Sequence, residues 1–199
     1  MHVSTAVADE ILHTAMAAVE RGGDDLFSAL DALPAPIYVT DADGVVTHFN
    51  QACIGFAGRT PAIGKDRWCV TWKLYTDEGA FLPHDQCPMA LAIHEKHAVR
   101  GVTAVAERPD GTRVRFMPFP TPLLGEDGEL VGAINMLIDV TDVRQIGELR
   151  SQAHRCRRLA NGSSDQHAAN TLNQMAAEYD AEAGRLEDVS PSCRLGLVS

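Results

Sequence analysis

The residues best suited to chemistry crowd into one short run, His84–His97, "HDQCPMALAIHEKH", with three histidines, one cysteine and one methionine. Imidazole nitrogen and thiolate sulfur are the donors that zinc prefers, and His84-x2-Cys87 with His94-x2-His97 offers four of them. The same run has the pattern of a helix over residues 85–96. Asp85 can cap it, and Pro88 is tolerated in its first turn. Helical rise then separates the two pairs by about 10 Å or more, too far for one tetrahedral centre. Met89, Ala92, Ile93 and the stem of Lys96 share one face at i, i+3, i+4, i+7 spacing. His94 and His97, three apart, lie on a neighbouring face. Two readings stay open: a core-packing helix whose histidines are partly exposed, or a helix that offers a histidine to a group bound in a pocket.

No other run supports catalysis. There is no Gly-x-Ser-x-Gly, no Walker loop and no Gly-x-Gly-x-x-Gly. The remaining histidines have no triad-like arrangement, and the carboxylates fall in turns and on helix faces. The chain is therefore expected not to be an enzyme. With 199 residues, 45% hydrophobic and 22% charged, it suits one ordinary domain with extensions. A net charge of −10 is opposite in sign to that of a duplex reader and disfavours anionic membranes. The expectation is no nucleic-acid partner and no membrane association. No run approaches the roughly 18–20 apolar residues of a membrane span, and "MHVSTAVADE" has no signal-peptide pattern. Five irregularly spaced cysteines, Cys53, Cys69, Cys87, Cys156 and Cys193, do not suggest a disulfide framework. Reduced thiols and a cytoplasmic location follow as expectations.

The elements that must position these residues alternate in character. Residues 6–20 have helical spacing and stop at Gly22-Gly23. Asp24 or Asp25 can cap a short helix carrying Leu26, Phe27, Leu30 and Leu33, which Pro34 and Pro36 end. Ile37–Thr40 and Val45–Phe49 are strands around the Asp41–Gly44 turn. Asn50 can cap the next short helix, "QACIGFAG". Residues 58–83 are irregular, anchored by Trp68 and Trp72. Two Asp-Gly turns, Asp110-Gly111 and Asp127-Gly128, divide three antiparallel strands at about 98–107, 112–124 and 129–139. The result is an α+β fold, a five-stranded antiparallel sheet with short helices on one face. Residues 143–159 and 166–187 then have helical patterns, with Asp165 or Ser164 capping the second. They can form an antiparallel hairpin or a dimer coil. The last residues, "DVSPSCRLGLVS", form a frayed end.

Within this order three segments carry a resemblance. "LDALPAPIYVTDADGVVTHFNQAC" resembles the opening of a PAS domain. "ERPDGTRVRFMPFPTPL" resembles its later hairpin, and "GELVGAINMLIDVTD" resembles the last strand and its exit toward a signalling helix. Residues 24–142 are thus identified as resembling a PAS domain. An N-terminal helix lies in residues 1–23 and a helical tail in 143–199.

The resemblance implies a non-catalytic sensory or protein-interaction module of bacterial signal transduction. Asp139, Thr141 and Asp142 would be the junction that passes sheet strain to the following helix. It implies a homodimer through the flanking helices 6–20 and 143–159, and a kinase or regulator protein as partner. It also makes "HDQCPMALAIHEKH" the helix that closes a ligand pocket, with candidates Met89, Ile93, His94, His97, Phe116, Phe119 and Met136. The cofactor stays unknown. The alternative is a haem-based redox or gas sensor with His94 or His97 as proximal ligand and Met117 or Met136 opposite. Phe116, Phe119, Met136 and Leu137 would line that pocket, although strand alternation lets only some of them point inward. A flavin photosensor is disfavoured: the corresponding region is "IGKDRWCVTW", Cys69 sits two places late, and the paired Asn and Gln are missing. His154-Arg155 faintly echoes a phosphoacceptor box, but Arg157-Arg158 replaces the usual Lys-Asn and no ATP-binding domain follows.

Overall fold

The computed structural model describes residues 5–22, 26–162 and 164–189. The capping role expected of Asp24 or Asp25, and the tail beyond 189 with Cys193, lie outside them. In chain order the elements are α1 (Thr5–Arg21), α2 (Leu26–Asp31), β1 (Ile37–Asp41), β2 (Val46–Phe49) and α3 (Ala52–Ala57). Next come β3 (Lys73–Tyr75), β4 (Phe81–Leu82), a 3-10 turn at His84–Gln86 and α4 (Pro88–Glu95). The strands β5 (Ala104–Glu107), β6 (Arg113–Pro118), β7 (Thr121–Leu124) and β8 (Leu130–Asp139) follow, then α5 (Thr141–Gly162) and α6 (Gln166–Val189). Ala8–Asp139 form one compact unit, and the helices after Val140 form another.

The α+β unit is an antiparallel sheet in the order β2-β1-β8-β6-β5-β3-β4, with β7 also paired to β8. β6 and β7 are two parts of one path along β8. Phe116–Pro118 pair with Asp139–Leu137, and Thr121 resumes opposite Ile134. The break falls at Phe119-Pro120, where proline supplies no ladder N–H. Two differences from the expected five-stranded sheet stand out. Residues 58–83 are not wholly irregular, because β3 and β4 form a hairpin that extends the sheet beyond β5. Residues 98–103 precede β5 without joining it.

The turn between β1 and β2 is set by its own residues. The Asp41 carboxylate accepts hydrogen bonds from the amides of Asp43 (3.0 Å) and Val45 (2.9 Å). Gly44 then takes φ +80°, and the Trp68 ring packs against its bare α-carbon. A Cβ at that position would lie 2.2 Å from a ring carbon. Trp68 itself holds a left-handed φ of 68°, rare for a bulky residue, and donates its N–H to the Gly44 carbonyl at 2.7 Å. Turn and indole are therefore fitted to one another.

Asn50 departs from its expected role. Its side chain does not cap α3, and the Gln51 position makes no side-chain cap bond. Instead Asn50 Oδ1 accepts the Ile37 amide at 2.9 Å, while Nδ2 donates to the carbonyls of Leu30 (3.1 Å) and Ala35 (2.7 Å). One buried amide thus ties the end of α2 to the start of β1, because the chain between them contains Pro34 and Pro36 and cannot satisfy those groups by regular structure.

The expected helix over 85–96 is shorter than its pattern. Asp85 lies in the 3-10 turn, Cys87 is extended and occupies the cap position of α4, and Lys96 closes the helix in the left-handed conformation. Met89, Ala90, Ala92 and Ile93 are buried. They leave eight helical residues to cover the sheet, and α4 contacts β7 and β8.

In the helical unit, α5 and α6 run antiparallel. Arg150 pairs with Glu187 at 2.6 Å, and Arg157 pairs with Asp180. Ala153, Cys156 and Ala176 are buried between them, flanked by Leu172 and Tyr179. Small side chains at these positions let the helices approach closely. Of the two expected arrangements, the hairpin forms within one chain. Asp165 caps α6, its Oδ1 accepting the His167 (2.8 Å) and Ala168 (3.3 Å) amides.

Gly44→Ala should cost about 2–4 kcal/mol, since it combines left-handed strain with a clash against Trp68. Urea unfolding checks this. A lower midpoint at unchanged slope is expected, and an unchanged midpoint would show that the turn and indole are not fitted as described.

Candidate functional site

The sheet divides the expected pocket residues. Side chains alternate across a strand, and paired residues share a face. On the inner face Tyr38, Ala133 and Leu137 join Ala104, Ala106, Val114 and Phe116 in one buried cluster with Phe56, Met89 and Ile93. Phe56 and Phe116 meet edge to face, centroids 5.4 Å apart. Met136 pairs with Ile37, one residue out of phase with Leu137, and so faces the opposite side. Phe119 lies outside the inner cluster, and its ring is covered by the Arg100 guanidinium 5.5 Å away. Met89, Ile93 and Phe116 are thus brought together, whereas Phe119 and Met136 are not.

The histidines do not reach the inner cluster. His94 is exposed, with its ring 5.2 Å from that of Trp68. His97 lies past the end of α4, exposed, its Nδ1 3.4 Å from the Glu95 carboxylate. Met117 alternates outward between Phe116 and Pro118, as Met136 does on β8. A haem iron needs an inward histidine and open space beside it. Here the inner face is filled by side chains and the candidate ligands point elsewhere, so the residues present do not fit that group. Of the junction residues, Asp139 ends β8, Thr141 opens α5 and Asp142 lies in its first turn, where a carboxylate complements the helix dipole.

A different constellation crosses the inner cluster. Asn135 on β8 accepts the Phe119 amide at 2.9 Å through Oδ1 and donates through Nδ2 to the Tyr38 hydroxyl at 3.0 Å. Tyr38 donates in turn to the Trp68 carbonyl at 2.9 Å. The Cys69 thiol lies in the same buried cluster as Tyr38 and is 3.1 Å from Thr71 Oγ1. Thr71 Oγ1 is 3.5 Å from Nε2 of His84. His84 and Thr71 open onto a cleft of about 170 Å³, also lined by Arg59, Asp66, Arg67, Cys69 and Trp72. Residues 58–72 have no periodicity, so this cleft left no pattern in the sequence. The only signals were two tryptophans and two arginines in a segment of breakers.

Burial governs the titrating groups along this path. Burial, then the neighbouring Cys69 and Cys87, pushes the Tyr38 phenol well above its usual range. Burial pushes the Cys53 and Cys87 thiols up to about 12 and raises Cys69. These thiols stay protonated and unreactive at neutral pH. His84 is lowered by burial and then by Arg59, and His48 by burial. Among the described residues no group of three or more His, Cys, Asp or Glu side chains is placed to hold a metal ion. None of their helices is long and apolar enough to cross a membrane.

Comparison with known proteins bears on residues 30–145, which match a family model described as the PAS fold. No curated protein matches the chain. Among solved structures, the PAS domain of a protein from Colwellia psychrerythraea is 20% identical, with a TM-score of 0.39, covering 57% of this chain and 92% of its own. The LOV domain of a blue-light activated histidine kinase from Erythrobacter litoralis is 20% identical, TM-score 0.42, covering 54% and 96%. The PAS domain of the fruit-fly ELK potassium channel is 14% identical, TM-score 0.44, covering 59% and 96%.

Two outcomes test the buried network. Tyr38→Phe removes a donor to Trp68 and an acceptor from Asn135, and should cost about 1–3 kcal/mol in urea unfolding. A cost near zero would show that the hydroxyl is not integral. The raised acids also set an alkaline limit. Tyr38, Cys53 and Cys87 keep their protons in the folded chain, whereas the unfolded chain loses them above pH ~9. Stability is then complete below pH ~8 and falls as pH rises toward 12, by about 1.4 kcal/mol per pH unit per group. Flat stability from pH 8 to 10.5 would contradict the burial of these groups.

Proposed function

The chain belongs to the PAS family, and from that premise we propose that it is a non-catalytic sensory and protein-interaction module of bacterial cytoplasmic signalling, with output through the helix after its last strand. The observation that carries the reading is the position of β8. This strand pairs with β1, β6 and β7, carries the buried Asn135, and passes through Val140 directly into α5. A change in the strand's hydrogen bonds would act on Asp139, Thr141 and Asp142, the junction residues. A signal shifts the balance between two arrangements of this connection, and a kinase or regulator protein binds one of them better. The protein acts as a homodimer through its flanking helices.

Hydrogen exchange on the full chain tests the output path. Asn135→Ala should speed exchange by several-fold in peptides covering residues 134–150, including the first turns of α5, with α6 changed less. Changes confined to the sheet would count against signalling through α5. Light scattering tests assembly: a species of twice the 21.5 kDa chain mass is expected, and a monomer at micromolar concentration would remove the dimer from the proposal.

A further inference from the structure

The polar cleft beside the inner cluster has the make-up of a ligand site. Two guanidinium groups and one carboxylate line it, Arg59, Arg67 and Asp66. The carboxylate is already engaged, since Asp66 Oδ2 accepts Arg59 Nη2 at 2.7 Å and the Ala62 amide at 2.8 Å. Arg59 also reaches the Thr71 carbonyl at 3.4 Å, but its Nε is buried and has no hydrogen-bond partner among the described residues. An ionised donor left buried and unpaired is costly, and an acceptor brought to it recovers that cost. Among the described residues Arg67 engages only its Nε, donated to the Asp43 carbonyl at 2.7 Å, while its guanidinium carbon sits 4.8 Å over the Trp68 ring. His84 and Thr71 add a ring nitrogen and a hydroxyl, and Trp72, 53% exposed, adds a flat apolar wall. Asp85 faces His84 from the 3-10 turn but is exposed and is not part of the lining. In a chain of net charge −10 the cleft itself carries one excess positive charge.

We propose that this cleft binds a small oxyanion, a carboxylate or a phosphate, through Arg59, Arg67 and His84. Guanidinium donors match the oxygens of either group. A volume of about 170 Å³ admits such an anion with a short organic body and excludes a porphyrin or a flavin. The plain alternative is that Arg59 is only a staple between Asp66 and Thr71. That staple leaves Arg59 Nε without a partner and Arg67 engaged through Nε alone among the described residues, and both arginines line the cleft. Binding would also reach the sheet. Thr71 Oγ1 lies between His84 and Cys69, and Cys69 shares the buried inner cluster with Tyr38, whose hydroxyl donates to the adjoining Trp68 carbonyl and is held by Asn135 on β8. This second step rests on the sensory reading of the chain; the binding does not.

The test is a titration of the full chain with sodium acetate and, separately, sodium phosphate, against sodium chloride at matched ionic strength. The readouts are the His84 ring resonances, assigned with His84→Gln, and the fluorescence of Trp68 and Trp72. A saturable response to acetate or phosphate that chloride does not reproduce is expected. Response to acetate alone identifies a carboxylate site, and response to phosphate alone a phosphate site. Arg67→Gln, His84→Gln and Arg59→Lys should each weaken binding about tenfold or more. Arg67 and His84 carry the test if Arg59→Lys fails to fold, because neither supports the Asp66 pair. Equal responses to all three salts, or wild-type affinity in both Arg67→Gln and His84→Gln, would overturn the proposal. Saturable binding with no change in exchange over residues 134–150 would keep the site and overturn its link to β8.

Discussion

The inner face of the sheet is organised around one buried hydroxyl. Tyr38 is fully buried, and a phenol placed there without partners would destabilise the fold by more than its ring contributes through a single extra contact. It is tolerated because Asn135 donates to it and the Trp68 carbonyl accepts from it. Each partner is fixed from a different part of the chain. Asn135 is on β8 and is itself held by the Phe119 amide at the break between β6 and β7. Trp68 is in the long connection after α3 and is fixed through Gly44. One side chain therefore sets the position of the first strand, the last strand and the connection that runs beneath them. Such a network is all or nothing, since a partly satisfied buried polar cluster is worse than an apolar one.

The second constraint is the unusual backbone of Trp68. A left-handed bulky residue costs about 1–3 kcal/mol and persists only where its surroundings over-determine it. Here they do. The ring fills the space that a side chain at Gly44 would need, the N–H goes to the Gly44 carbonyl, and the carbonyl receives Tyr38. Arg67 and His94 then cover the outer surfaces of the indole. The strain turns the chain so that Trp68 seals the turn while Cys69 points to the core, Thr71 is buried next to it and Trp72 emerges at the rim of the cleft. The cleft and the buried network are thus two consequences of the same local bend.

What the sequence makes legible follows from the range of the forces involved. The β1–β2 turn, the two Asp-Gly turns and the Asp165 cap are decided within a few residues, by carboxylates folding onto nearby amides and glycines taking positive φ, and they are readable as such. The α+β class, the last three strands and the tail helices come from periodicity and are readable too. Asn50 shows the limit. Its position suggests a cap, but three longer-range partners, at Leu30, Ala35 and Ile37, outcompete the local one. The β3–β4 hairpin was hidden because strands of three and two residues carry no measurable alternation. Phe119 and Met136 look like partners of Phe116 in sequence. Which face each takes depends on the phase of pairing with β1 and on the Phe119-Pro120 break, and neither is visible before the strands are aligned.

The run of histidines resolves on similar grounds. Spacing places His94 and His97 near one another on a long helix, and on such a helix one of them could turn toward the sheet. The helix is short because Cys87 is extended and Lys96 ends it, so the apolar face is used up by Met89, Ala90, Ala92 and Ile93. His94 is left on the solvent side against Trp68, and His97 falls beyond the last turn. His84, the one histidine of the run ahead of the helix, is the one that the fold half-buries, and it is placed there by the 3-10 turn that the helical pattern conceals. A histidine's chemistry is decided here by which side of a chain reversal it falls on. The residue with the weakest sequence signal of the three is the one that the fold sets between a buried hydroxyl and a cleft.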